Sequence, residues 1–133
     1  MLLLAACDAS KPYPDLADKN LRIQTASAGA SVVMAIYGLM PDCSLDYQGT
    51  VALNQPVVHI GLAARGRTRL VFEFRSSGLL ARTSIKKEAQ IAPRAGYRYD
   101  ARVTYKDEVY GLTLREIDPR TGEARELDPM ASC

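Results

Sequence analysis

The sequence predicts an all-β chain, an antiparallel β-sandwich of about eight short strands, with closure into a barrel as the alternative. Three observations carry that expectation. From Leu21 onward, short apolar or alternating runs are separated by Gly, Pro, Asn or Asp at close, even spacing, the pattern of strands joined by turns. No stretch holds a convincing helical period, residues 29–40 with their Ala, Met and Leu being the one ambiguous run. A chain of 133 residues with 47% hydrophobic and 24% charged residues is a single globular domain.

The strand candidates, in order, are 21–26, 32–37, 45–53, 57–63, 68–75, 83–91, 97–106 and 109–117, with a short last one at 124–127. Alternation is clearest in Leu70-Val71-Phe72-Glu73-Phe74-Arg75, where the large apolar residues share one face and Glu73 and Arg75 the other. In 97–106 the inward set is Tyr97, Tyr99, Ala101, Val103 and Tyr105. Lys106-Asp107-Glu108 then leads straight into Val109, which makes these two runs a tight hairpin. Asp118-Pro119-Arg120-Thr121-Gly122-Glu123 is a second polar reversal bracketed by Pro and Gly. Sandwiches of the immunoglobulin or transthyretin kind are the architectures such a series resembles. The block 92–127 in particular looks like the closing segment of small exported β-domains.

Met1 to Cys7 is an apolar stretch that ends in small residues and a cysteine, followed by the polar Asp8-Ala9-Ser10-Lys11-Pro12. Leu4-Ala5-Ala6-Cys7 resembles the lipobox of bacterial lipoproteins, which implies that Cys7 is acylated and becomes the first mature residue. A secretory signal carries a basic n-region and an apolar core of roughly 7–15 residues. Only Leu2 to Ala6 stands here, so the resemblance places the natural start upstream and makes 1–6 the remnant of a signal. Residues 7–19, with two prolines and charges of alternating sign, read as lipid anchor and tether. Residues 20–133 are then the sandwich. Asp8 after the anchor resembles the inner-membrane retention signal of enteric lipoproteins.

With Cys7 assigned to the anchor, Cys43 and Cys133 remain as an even pair, far apart and not spaced like a zinc site. A disulfide is the natural reading, and it belongs to the periplasm or the cell exterior. Cysteine use and the lipobox resemblance therefore give one address, the bacterial cell envelope.

Chemistry is sparse. His59 is the single histidine, and in Val57-Val58-His59-Ile60 it falls on the face opposite Val58 and Ile60, so it reads as a solvent or sheet-margin residue rather than a catalytic base. No His pair, Cys-x-x-Cys or calcium-type acidic loop occurs. Gly61 to Gly66 lacks the Lys-Ser ending of a phosphate cradle. Asp107, Glu108, Glu116 and Asp118 read as solvated hairpin charges. No cofactor and no enzymatic activity are expected. A net charge of +2 disfavours nucleic acid as a partner.

Two surfaces remain. Arg65-Gly66-Arg67-Thr68-Arg69 places three arginines in five residues, a loop suited to acidic head groups, phosphates or an anionic polysaccharide. The outward row Arg98, Arg102 and Lys106, near Arg115, is the second, with Asp100 and Glu116 as its neutralising partners. The expected role is binding or scaffolding at the envelope without catalysis. An inhibitor or ligand-binding module comparable to periplasmic lysozyme inhibitors, using Arg65, Arg67 and Arg69, is one alternative. A structural lipoprotein of a secretion apparatus is the other, its partner an envelope protein.

Overall fold

The computed structural model describes residues 10–27, 30–76, 84–106, 109–129 and 133. Every helix or strand among them is a strand: β1 (Leu21–Ser27), β2 (Ala30–Leu39), β3 (Leu45–Ala52), β4 (Val57–Ile60), β5 (Arg67–Ser76), β6 (Ser84–Ile91), β7 (Arg98–Lys106), β8 (Val109–Ile117) and β9 (Ala124–Leu127). They form two sheets, one ordered β3-β2-β5-β6 and the other β4-β1-β7-β8-β9. The sheets pack face to face as an open sandwich, and the barrel alternative falls away.

Period-two alternation places the core. Val32, Met34 and Ile36 of β2 and Leu70, Phe72 and Phe74 of β5 are buried on one inner face, opposite Leu21, Ile23, Tyr99, Ala101, Val103 and Leu114 of the other sheet. Of the run 29–40, ambiguous in sequence, Ala30–Leu39 form β2, because the inward residues recur every second position. Tyr105 and Tyr110 stack at 4.7 Å, and Phe74 meets the ring of Tyr110 edge-on at 4.9 Å. The long-strand hairpin has the expected register, with Lys106 opposite Val109 and Arg98 opposite Ile117.

Three findings depart from the sequence reading. The sandwich is not wholly antiparallel, since β1 runs parallel to β7 from Leu21↔Tyr99 to Ser27↔Tyr105. A parallel pair needs a long connection, and the chain supplies it by building the whole other sheet between the two strands. The run 57–63 ends as a strand at Ile60. Beyond it Leu62 leaves the ladder to pair with the buried Asn20, whose Oδ1 accepts from Leu62 N at 2.7 Å while Nδ2 donates to Leu62 O at 2.9 Å.

The third departure concerns the polar segment read as a tether. From Lys11 onward it lies against the sandwich as a strap. Thr50 N donates to Lys11 O at 2.8 Å, and Tyr13 N donates to Thr50 O at 3.1 Å. Tyr13 packs on the core, and its hydroxyl donates to Gly61 O at 2.7 Å. Two glycines admit it. A Cβ on Gly49, whose φ is +148°, would stand 2.4 Å from Tyr13 Cα, and one on Gly61 would stand 2.4 Å from Asp18 O. Gly49 also closes a bulge, since Ile36 pairs with it and Tyr37 with Tyr47, leaving Gln48 as the extra residue of β3.

Candidate functional site

The β2–β3, β4–β5, β6–β7 and β8–β9 connections all emerge at one end of the sandwich, and most of the residues singled out from the sequence lie there. Cys43 and Cys133 are joined as a disulfide with Cα atoms 5.8 Å apart. Cys43 takes a φ of 71° in the turn before β3. The turn is held by Met40 N donating to Ser44 O at 2.9 Å and by the Asp42 carboxylate, which accepts from the Ser44 hydroxyl at 2.6 Å and its N–H at 3.0 Å. Those bonds, the hydroxyl's first, hold the Asp42 carboxyl below the usual carboxylate range. Cys7 lies outside the described residues, as do Asp107 and Glu108.

The arginine loop divides. Arg65 is exposed in the β4–β5 connection, where Gly66 takes a φ of 73° to make the turn. Arg67 opens β5 with its Nη2 3.9 Å from Cys133 Sγ. Neither meets a carboxylate among the described residues. Arg69 is committed elsewhere on the outer face, with Nη2 2.6 Å from Gln90 Oε1 and Nη1 3.3 Å from Glu88 Oε1. Thr68 between them turns inward and is buried. Strand alternation thus places Arg67 and Arg69 on one face, yet only Arg65 and Arg67 keep charge to offer a ligand.

The outward row of the other sheet is also mostly engaged. Arg98 donates to Asp18 Oδ1 at 3.0 Å and Lys19 O at 3.2 Å, both on the strap, and Arg102 donates to Gln24 Oε1 at 3.3 Å. Register aligns His59, Arg22, Asp100, Arg115 and Glu126 across five strands, a band of mixed charge on a solvated face. His59 is exposed, as its parity predicts. Asp100 Oδ2 stands 3.9 Å from Arg115 Nη2, while Oδ1 is buried without a hydrogen-bond partner among the described residues.

Glu116, however, does not serve that row. It shares the inward parity of Leu114 and is only 5% exposed, and a cluster of donors surrounds it. Arg94 grips it in a fork, Nη2 2.6 Å from Oε1 and Nε 3.3 Å from Oε2. Arg125 of β9 adds a bond to Oε1 at 3.0 Å, and the Tyr99 hydroxyl donates to Oε2 at 2.8 Å. Tyr99 Oη in turn accepts from Arg94 N at 2.8 Å, and the Arg94 guanidinium lies 4.0 Å from the Tyr97 ring centroid. The bonds from Arg94, more than those from Tyr99 and Arg125, hold the Glu116 carboxyl down at about 2, against burial. Burial, foremost, pushes the Tyr99 hydroxyl up to about 12. The carboxylate is an anion whose lone pairs are already taken, so it neither carries a proton at neutral pH nor presents itself as a base. It clamps the β6–β7 connection, β8 and β9 together. Strand parity is the signal that finds it, since Leu112, Leu114 and Glu116 alternate on one face. Among the described residues no group of three or more His, Cys, Asp or Glu is placed to hold a metal ion.

No protein-family model matches the chain, and no curated protein sequence does. Solved structures do. Transthyretin from Sparus aurata superposes with a TM-score of 0.55 at 14% identity, covering 74% of this chain and 98% of that one. The fold is transthyretin-like. Sea bream transthyretin in complex with thyroxine gives a TM-score of 0.52 at 14% identity, over 71% of this chain and 93% of the other. Between the immunoglobulin and transthyretin architectures that the strand series allowed, the transthyretin-like arrangement is therefore the one the chain adopts. At this identity the likeness speaks to architecture alone.

Proposed function

We propose that this chain is a lipid-anchored protein of the bacterial cell envelope that works by binding, not by catalysis. The observation that carries the reading is the disulfide from Cys43 to the last residue, Cys133, a bond that persists in oxidising compartments. The lipobox-like Leu4-Ala5-Ala6-Cys7 supplies the anchor. Local pairing fits the non-catalytic part of the reading, because the most buried carboxylate among the described residues, Glu116, is saturated by Arg94, Arg125 and Tyr99. One structural neighbour, sea bream transthyretin, was solved with thyroxine bound, so a sandwich of this architecture serves binding in that protein. Expressed behind a complete lipoprotein signal, the chain is expected to carry acyl mass on Cys7 and to sediment with membranes. Cys7→Ser is expected to move it to the soluble fraction, and an unmodified Cys7 by intact mass spectrometry sinks the reading.

A second reading concerns what is bound. Arg65 and Arg67 meet no carboxylate among the described residues, which favours an anionic ligand at the disulfide end. Envelope extracts passed over the wild type and over Arg65→Ala/Arg67→Ala are expected to lose an anionic ligand or acidic partner in the variant. Arg69→Ala, whose side chain is tied to Glu88 and Gln90, is expected to retain it. An identical profile from all three proteins removes the arginines from the binding surface.

A further inference from the structure

We propose that the turn between β2 and β3 contacts lipid, and that the strap of residues 11–20 is a fixed mount that holds this turn against the membrane. The inference rests on lipidation of Cys7. It is carried by how the strap is built, which way it runs and what lies at its end.

The strap is part of the fold, not a loose leash. Backbone bonds tie Lys11 and Tyr13 to both sides of Thr50. Lys11 N donates to Tyr47 Oη at 3.2 Å, and the Lys11 ammonium sits 5.8 Å from the same ring's centroid. Gly49 and Gly61 leave space that no larger residue would leave. Pairing therefore reaches to within a few residues of the anchor. An extended chain spans at most about 3.6 Å per residue, so a leash of three residues adds at most about 11 Å beyond Ser10.

The direction follows from the bridge between Pro12 and Thr50, which is parallel. Lys11, just before Pro12, is therefore set on the side of Thr50 that leads back along β3 toward its first residue, Leu45. Cys7 precedes Pro12 by the same five residues by which Leu45 precedes Thr50. At that end stand Met40 and Leu45, each 45% exposed, on either side of the turn that carries Cys43. They are two of the four large hydrophobic residues exposed among the described residues, and Val57 and Val109 lie at the opposite end of their strands. Exposed apolar side chains within a short leash of an acyl anchor can enter the headgroup region with it, and two weak signals together hold a protein to a bilayer where one does not.

The chain contains no Trp, so single substitutions report position without background. Acylated Leu45→Trp and Val109→Trp proteins would be placed in phosphatidylethanolamine–phosphatidylglycerol vesicles with and without brominated acyl chains. Fluorescence at 45 is expected to be quenched several-fold more than at 109. A flexible Gly/Ser insertion of about ten residues between Ser10 and Lys11 leaves the strap in place but lengthens the leash, and is expected to lower quenching at 45 to the level at 109. Equal quenching at the two positions, or quenching at 45 that survives the insertion, overturns the mount. Intact mass separates this from the anchor itself. An unmodified Cys7 removes both readings, whereas an acylated chain with equal quenching removes the mount alone.

Discussion

Reducing the Cys43–Cys133 disulfide, or replacing Cys133 with Ser, is expected to lower the unfolding free energy by up to about 4.6 kcal/mol on the chain-entropy scale for a loop of this length. The bridge has a sequence separation of 90, so it encloses most of the domain and removes many conformations from the unfolded ensemble. It acts on the folded side too. After β9 no further strand follows among the described residues, so it is the bridge that ties Cys133 to the β2–β3 turn. The positive φ of Cys43, costly for a residue with a Cβ, works against the bridge and offsets part of that gain. Urea unfolding followed by tyrosine fluorescence, with and without reductant, checks this. The midpoint is expected to fall by more than a molar at an m-value of about 2 kcal/mol/M. A midpoint unmoved by reductant would mean that the bridge contributes nothing to stability.

That bridge was legible by counting, because one cysteine in a lipobox-like position leaves an even pair. The sandwich was legible by parity, since β5 and the β7–β8 hairpin alternate cleanly and their buried residues are those the pattern selects. Other features were not, for physical reasons. Parallel pairing of β1 with β7 joins residues about eighty apart, and alternation within a strand carries no information about its neighbour or its sense. The strap is polar, and Pro12 and Pro14 mark it as irregular. What ties it down is backbone pairing and the absence of side chains at Gly49 and Gly61, so the signal lay in the glycines of two apolar runs and not in the strap. The arginine loop illustrates the opposite error. Three arginines in sequence suggested one cationic surface, but the ladder between β5 and β6 places Arg69 beside Gln90 and near Glu88, so pairing across the sheet dissolves a cluster that looked uniform along the chain.

Glu116 is where a buried charge sets the behaviour of the fold with pH. Glu116→Ala is expected to cost about 2–3 kcal/mol, below the full penalty for breaking a buried ion pair. The reason for the lower value is that Arg94 and Arg125 are 53% and 68% exposed and recover hydration when the carboxylate goes. The Tyr99 hydroxyl does not, being within a side chain 1% exposed. Linkage gives the sign. The carboxyl sits near 4.5 when unpaired and at about 2 in the fold, so its contribution is fully present above about 4.5 and disappears as the pH falls toward 2, where the folded state must also take the proton. Tyr99 acts at the other extreme. Its hydroxyl is raised from 10.0 to about 12, so the folded state keeps a proton that the unfolded chain gives up, and stability falls as the pH rises through that interval. Chemical denaturation from pH 2 to 6 in the wild type and in Glu116→Gln distinguishes this clamp from ordinary surface charge. The wild type is expected to lose stability steeply below pH 4.5, and Glu116→Gln to start lower and show a shallower slope. Parallel curves would place the acid sensitivity elsewhere and leave Glu116 no more than a half-neutralised surface acid, at odds with its three donors.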